Sequence, residues 1–494
     1  MSELRLTVKW VADAVGGKLV SGEPDRVVGH VTTDSRSLRA GDFFIALRGA
    51  RFDAHEFVED VLSRGAAGVM VERMADRKGP PRIEQGSPRI KQGESGTPLD
   101  AGRAFTARQS ATVIQVSDTT RALQDLAHAV RKASGTRVVA ITGSAGKTTT
   151  KETIADFLST RFRVVKNQGN LNNHIGLPLS LMQLRQQPDV AVMELGMNHA
   201  GEISTLVAIA EPQVRVWTNV GDAHIGFFES PEAIADAKAE ILEGAGPDHV
   251  LVLNADDPRV LARAAGFTGR TLTFGTSEGA TVRATRVEDL GLDGMRAHVT
   301  TPVGEVELTT PLLGRGNLAN VLAATAVAVD FGVGLNEIAA ATSRLAPADR
   351  RGAVRRLRNR VTLIDDSYNS SPAALQRALE VLANETRASR KVAILGEMLE
   401  LGGHSAELHQ QSGRFAADAG VQLLFAIGGE PARALADAAV GAGMPRAAVR
   451  YFESSEVAAA AAAAAVQPGD VVLVKGSRGT RTDVVADRIA AEHA

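Results

Sequence analysis

The residues best equipped for chemistry stand together in Val138-Val139-Ala140-Ile141-Thr142-Gly143-Ser144-Ala145-Gly146-Lys147-Thr148-Thr149-Thr150. An apolar strand runs into a glycine-bearing turn, and a helix is predicted to begin at the Lys-Thr. Glycines let successive backbone N–H groups converge on phosphate oxygens, and a helix start adds the positive end of its dipole. Lys147 would reach β- and γ-phosphates, and the Thr148 hydroxyl would face a magnesium ion. Thr142 to Thr149 thus read as a phosphate loop in a nucleotide site. Two residues separate Gly143 from Gly146, where the common G-x-x-x-x-G-K-[ST] form has four. Such a loop alone suits a transport ATPase, a GTPase or a kinase. The chain has no Asn-Lys-x-Asp guanine phrase, which argues against the GTPase.

Three further residues are less telling singly. Glu194 follows the apolar run Asp189–Met193, so its carboxylate would emerge at a strand's carboxyl end, where open sheets bind ligands. By itself such a Glu reads as a helix cap or surface group. His224, in Gly221-Asp222-Ala223-His224, reads as a loop histidine, and Lys238, in Ala237-Lys238-Ala239-Glu240, as a solvated helix face.

The elements that must position these residues are α/β throughout. At 494 residues, the length suggests roughly three domains at about 150 residues each. With 44% hydrophobic and 23% charged residues, the chain can bury a sizeable core. A net charge of -2 without blocks of like charge, and only 2 Trp and 2 Tyr, disfavour a nucleic-acid or membrane-surface footprint. Zero cysteines exclude disulfides, thiolate zinc, iron–sulfur clusters and a cysteine nucleophile. Neither a signal-peptide h-region nor eighteen consecutive apolar residues occur, so a soluble, cytoplasmic protein is expected.

The first domain is expected over residues 1–134, with strands at Val27–Val31, Asp42–Leu47 and Gly68–Glu72 and a helix at His55–Gly65. Within it Ala75–Ala111 is rich in Gly, Pro, Arg and Gln and carries a near-repeat from Pro81 to Glu94. That composition reads as a flexible insertion, with a basic binding loop as the rival. A central domain over 135–346 alternates as a parallel sheet does, with strands Val138–Thr142, Val190–Met193, Val214–Thr218 and Val250–Asn254 and a small-residue helix Gly316–Phe331. The last domain, 347–494, alternates again: strands Val361–Asp365, Lys391–Leu395, Leu423–Ile427 and Val471–Lys475 flank helices such as Pro372–Leu382 and the alanine run Ala458–Ala465.

Taken together, the motifs resemble the Mur ligase family, ATP-dependent amide-forming enzymes of bacterial peptidoglycan synthesis. The short loop Thr142–Thr149 is similar to that family's form, as are Met193-Glu194-Leu195-Gly196-Met197-Asn198, Thr218-Asn219-Val220-Gly221-Asp222-Ala223-His224 and Ala237-Lys238-Ala239-Glu240. The likeness extends to Thr33-Asp34-Ser35-Arg36…Gly41-Asp42-Phe43-Phe44, to Asp365-Asp366-Ser367-Tyr368-Asn369-Ser370-Ser371-Pro372 and to Leu395-Gly396-Glu397-Met398-Leu399-Glu400-Leu401-Gly402. The last two are similar to phrases of the member that adds D-alanyl-D-alanine to UDP-N-acetylmuramoyl-tripeptide. The sister that adds the third amino acid usually has Asp-Tyr-Ala-His where this chain has Asp366-Ser367-Tyr368-Asn369. Only the Ala75–Ala111 insertion falls outside the match.

The resemblance implies a three-domain α/β fold: a small UDP-substrate domain, a central phosphate-loop mononucleotide-binding domain with a parallel sheet, and a Rossmann-like last domain. It also implies a two-step reaction through an acyl phosphate, with ATP, two magnesium ions, the UDP-linked tripeptide and D-alanyl-D-alanine as partners; a monomer is expected, though the sequence carries no sign of oligomeric state. Thr148, Glu194 and His224 become expected metal ligands; the imidazole would have to be neutral, so pH below about 6.5 opposes that role. Lys238 matches a lysine that carbon dioxide carbamylates, which turns a cation into an anionic ligand and requires a depressed pKa. Lys147, Glu194, His224 and Lys238 are thus the expected catalytic set.

Asn317 and Asn320 match an adenine-side helix, in which Gly316 stands where the family usually has His. Arg351 matches a nucleotide-reaching arginine, with Arg350 replacing the usual Gly beside it, and Asp366 is the expected ribose-side carboxylate, with Asp365 as fallback. Ser35 and Arg36 are expected at the UDP end. Asn170, Asn172 and Asn173 would face the reacting centre, a turn-forming cluster being their rival reading. Tyr368 and Asn369 would read the dipeptide, and Lys475-Gly476-Ser477-Arg478 either lines that cleft or is a plain strand-to-helix turn. The alternatives are the UDP-N-acetylmuramoyl-dipeptide–diamino acid ligase, a folylpolyglutamate or cyanophycin-type synthetase, and a non-catalytic nucleotide-binding regulator.

Overall fold

Among the described residues the chain forms three sheets, each built on β-branched and aliphatic runs. The computed structural model describes residues 3–49, 52–73, 111–223 and 225–494. One compact unit is drawn from Met1–Arg137, Asn167–Ala191 and Ala208–Glu211, and a second from Val138–Lys166, Val192–Val207 and Pro212–Ala494. Apart from its final Ala111, the expected Ala75–Ala111 insertion lies outside the described residues. No helix among them is long and apolar enough to cross a membrane.

In the first unit a five-stranded sheet runs Lys18–Ser21, Thr112–Val116, Gly68–Glu72, Phe43–Ile45, Val31–Thr32. All its pairings are parallel except that of the edge strand Lys18–Ser21. Gly68–Glu72 matches its sequence expectation, but two others shorten. In place of Val27–Val31 the strand is Val31–Thr32, because Val28 N donates instead to Leu6 O and Val27 bridges to Thr7. Asp42 does not open a strand: its carboxylate accepts from Arg39 N at 2.8 Å and closes a turn before Phe43–Ile45. The expected helix His55–Gly65 is a 3-10 turn Ala54–Phe57 followed by Val58–Ser63.

The second sheet has nine strands, in the order Gly304–Thr310, Met295–Thr301, Val282–Asp289, Arg270–Gly275, Val250–Asn254, Val214–Trp217, Arg137–Thr142, Val190–Glu194, Val164–Lys166. From Arg137–Thr142 through Val214–Trp217, Val250–Asn254 and Arg270–Gly275 to Val282–Asp289 the pairing is parallel. Beyond Val282–Asp289 it turns antiparallel, so the sheet is mixed where the sequence reading expected a parallel one. The reason is visible in burial, which alternates along Met295–Thr301 and leaves one face wet, as antiparallel strands allow and parallel ones do not. The helix Gly314–Asp330 is buried at every position from Asn320 to Ala328, matching its small-residue composition.

A six-stranded sheet closes the chain: Ala353–Arg356, Thr362–Asp366, Asp470–Lys475, Arg390–Gly396, Leu423–Ile427, Val449–Phe452, parallel except for the first. The alanine run forms the helix Ser455–Ala465, and Ala458, Ala459, Ala462 and Ala463 enter the core at helical spacing. In this sheet Asp366 and Lys475 are register partners at the carboxyl ends of adjacent strands.

Candidate active site

The strand Arg137–Thr142 delivers its chain into the loop, and the helix Lys147–Leu158 takes it up with Gly146 as N-cap. Gly143 and Gly146 have φ of +149° and +84°, the region that glycine enters without penalty. A Cβ on Gly143 would stand 1.9 Å from Thr218 Oγ1. The loop is held from the neighbouring strand end. Thr218 Oγ1 donates to Ala145 O at 2.8 Å, and Asn219 receives Ala145 N at 2.9 Å while its Nδ2 donates to Ala145 O at 2.9 Å. Ser144 N donates to Asn219 O at 3.0 Å, and Gly221 N donates to Ser144 Oγ at 2.8 Å. The phrase Thr218–Gly221 is therefore the brace of the phosphate loop, a role that sequence reasoning missed; its place just after a parallel strand was the available signal. The first N–H groups of the helix have no intrahelical acceptor and remain for an anion. Lys147 lies over the loop, Nζ donating to Gly143 O at 2.7 Å. Burial lowers its pKa, Glu194 opposes the shift and Arg351 adds to it.

Thr148 Oγ1 donates to Glu194 Oε2 at 2.8 Å, and both residues are buried. Glu194 ends the strand Val190–Glu194, as the sequence suggested. A hydroxyl and a carboxylate form a hard oxygen pair of the kind magnesium prefers. Lys238 lies in the helix Pro231–Ala239 and is almost fully buried, not the solvated face that its local sequence suggested. Burial first, and then the Lys147 charge, push its pKa well below the ordinary lysine value. Among the described residues no cluster of three or more His, Asp or Glu is gathered for a metal. His224 lies outside the described residues.

On the rim, Asn320 presses on the loop: a Cβ on Gly146 would stand 2.2 Å from its Oδ1. Its Oδ1 accepts from Thr150 Oγ1 at 3.2 Å, its Nδ2 donates to Asn317 Oδ1 at 3.1 Å, and Asn317 Nδ2 donates to Leu313 O at 2.9 Å. Arg351 places its guanidinium 4.3 Å from the Tyr368 ring centre and contributes to the electrostatics of Lys147 and Asp366. Lys475 Nζ donates to Asp366 Oδ2 at 2.7 Å and to Asn369 O at 3.0 Å. Burial raises the Asp366 pKa against the pull of Lys475. Asp365 is fully buried, accepts from Ser367 Oγ at 2.6 Å and pairs with Arg355 at 3.2 Å. It braces the fold, whereas Asp366 pairs with Lys475. Arg350 has φ +54° and pairs with Asp487 at 2.9 Å, which explains why glycine suits that position elsewhere.

Within the first unit, Arg36 is committed to Asp34 through Nε and Nη2 at 2.9 and 2.8 Å. Those hydrogen bonds hold the Asp34 pKa down at about 2. Ser35 O accepts from Arg64 Nη1 at 2.7 Å. Asn173 Oδ1 accepts from Gly176 N at 2.8 Å and Ile175 N at 3.2 Å, at the start of the helix Gly176–Leu181. Asn172 N donates to Asn170 O at 2.8 Å. These contacts order the turn that leads into that helix.

Three family models cover the chain: Mur ligase family, catalytic domain, over residues 27–131; Mur ligase middle domain over 141–328; and Mur ligase, glutamate ligase domain, over 350–478. A Bacillus subtilis UDP-N-acetylmuramoyl-tripeptide--D-alanyl-D-alanine ligase is 33% identical over 98% of this chain and 99% of its own. The Escherichia coli protein of the same name is 33% identical over 86% of each. The crystal structure of MurF from Acinetobacter baumannii matches with TM-score 0.84 and 30% identity, over 99% of this chain and 100% of that one. MurF ligase from Thermotoga maritima in complex with ADP matches at TM-score 0.75 and 28% identity, over 94% and 97%. With its phosphate loop, oxygen pair and buried lysine in one place and the family's three models in order along it, the chain belongs to the Mur ligase family.

Proposed function

We propose that the protein joins D-alanyl-D-alanine to the terminal carboxylate of UDP-N-acetylmuramoyl-tripeptide, converting ATP to ADP and phosphate during peptidoglycan precursor synthesis. The observation that carries the reading is the phosphate loop with Lys147 laid over it and the buried Thr148–Glu194 oxygen pair at its helix start, together with the buried Lys238. The names of the full-length relatives support the substrate assignment.

The substrate carboxylate oxygen attacks the γ-phosphorus, the bond to the β-phosphate oxygen breaks, and ADP leaves with that electron pair. Two anions must approach, so the loop amides, Lys147 and Arg351 neutralise charge in advance. The dipeptide amine then attacks the acyl carbon; the C–O bond to phosphate breaks and the nitrogen sheds a proton. Thr148 and Glu194 fit a magnesium ion, which would supply Lewis-acid stabilisation of the phosphoryl oxygens. His224 completes the proposed ligand set. Lys238 is read as carbamylated: a neutral amine adds carbon dioxide and releases one proton, and its burial beside Lys147 favours the neutral amine. Incorporation of 13C-bicarbonate into the parent protein but not into Lys238→Ala, followed by carbon NMR, tests this.

Asn317, Asn320, Arg351 and Asp366 are assigned to ATP. Ser35, Arg36, Asn170, Asn172 and Asn173 are assigned to the UDP substrate, and Tyr368 and Asn369 to the dipeptide. The proposed parts are 1–134, 135–346 and 347–494, in a cytoplasmic monomer. Phosphate release is measured with ATP, magnesium, the UDP-linked tripeptide and D-alanyl-D-alanine, and in parallel with the UDP-linked dipeptide and a diamino acid. Release in the first alone, with the matching mass gain, supports the reading; release in the second alone replaces it with the diamino acid ligase.

A further inference from the structure

We propose that Arg478 is the residue that binds the free carboxylate of the incoming dipeptide, with Leu399 as the wall against its short side chains. This rests on the function proposed above and assigns a recognition role within it.

Arg478 opens the turn Arg478–Thr480 that follows the strand Asp470–Lys475, and its side chain is exposed. Among the described residues its guanidinium turns to Tyr368 and not to a carboxylate: Nη1 lies 3.4 Å from the phenol oxygen and the guanidinium carbon 5.5 Å from the ring centre. The same ring carries Arg351 at 4.3 Å. Two guanidinium groups thus share one phenol ring, and an anion bound between them would be favoured by both charges. Arg351 is assigned to the nucleotide in the function proposed above and lies nearer the ring centre, at 4.3 Å. Arg478 is left with a planar fork of donors suited to a carboxylate.

The surroundings fit a small zwitterion. Leu399 is 45% exposed, and its backbone N donates to Ser477 Oγ at 2.9 Å. Its Cδ1 would stand 2.7 Å from a Cβ on Gly479, so that glycine makes room for it beside Arg478. Ser477 Oγ also reaches Ser370 O at 3.4 Å, in the segment that carries Tyr368. Cation, phenol and exposed aliphatic side chain are thereby tied to one another. An extended dipeptide spans about 7 Å. The guanidinium carbons of Arg351 and Arg478 lie 4.3 and 5.5 Å from the same ring centre, a separation on the scale of that span.

The test uses the full chain with saturating ATP, magnesium and UDP-linked tripeptide, and compares D-alanyl-D-alanine with its C-terminal amide. The parent is expected to prefer the free acid. Arg478→Ala is expected to lower kcat/KM for the acid roughly ten- to hundredfold through KM, leaving the amide's value and the KM for ATP unchanged. Arg478→Lys should restore part of the preference. Retention of the full preference in Arg478→Ala, or equal losses for acid and amide, overturns the assignment. A parent that turns over a diamino acid but neither dipeptide form overturns the function itself, and this assignment with it.

Discussion

Replacing Gly146 by alanine is expected to damage the phosphate loop in two separable ways. At φ +84° the new residue pays about 1–2 kcal/mol for left-handed backbone. Its Cβ would also lie 2.2 Å from Asn320 Oδ1, 3.0 Å from Cγ and 3.1 Å from Nδ2. Asn320 cannot swing aside freely, because it is buried between Thr150 and Asn317 with a hydrogen bond to each. Breaking both loses about 0.5–1.5 kcal/mol apiece. The whole effect is about 2–5 kcal/mol, divided between stability and ATP affinity. Calorimetric ATP binding and denaturant unfolding of Gly146→Ala, Asn320→Ala and the double variant form the assay. In the double variant the clash disappears, so its loss should be smaller than the sum of the single losses. Strict additivity, or a Gly146→Ala protein within about 0.5 kcal/mol of the parent in both measurements, would refute the reasoning.

Other consequences follow from the same site. Glu194→Gln should remain folded, because an amide oxygen can still accept from Thr148, yet phosphate release should fall at least about a hundredfold with a higher magnesium half-saturation. Lys238→Met should abolish turnover while raising the thermal midpoint in carbon-dioxide-free buffer, since it removes a charge that burial disfavours. Because the folded lysine holds its proton less tightly than the unfolded one, parent stability should rise as pH climbs toward the ordinary lysine value, and Lys238→Met should lose that part of the slope. Asp366 has a raised pKa, so its anion is lost at a higher pH than an ordinary carboxylate's. The KM for ATP should therefore climb on the acid side in the parent, and a profile of Asp366→Asn should be flat there and uniformly higher.

The phosphate loop was legible because everything that makes it is local: an apolar strand, two glycines and a Lys-Thr helix start lie within thirteen consecutive positions, Val138 to Thr150. Glu194 was legible as a strand-end carboxylate for the same reason. The alanine-rich helix and the parallel strands of the last sheet were readable from periodicity and composition. The antiparallel run Val282–Thr310 was not, because its alternating, half-exposed strands carry a weaker apolar signal than the buried parallel ones.

By itself the sequence determined which groups are available, the local geometry of the nucleotide loop and the family to which its phrases belong. Folding alone decided what those groups became. Lys238 looked like a solvated face and is buried beside a second lysine, because helix Pro231–Ala239 turns that side inward. Asp365 and Asp366 are neighbours in sequence, yet strand alternation sends one to Arg355 and the other to Lys475. Thr218 and Asn219 became the loop's brace, and Arg478 met Tyr368, only because parallel strands bring their carboxyl ends to one edge. Burial and charge neighbourhood are set by residues far away in the chain, and no local pattern carries that information.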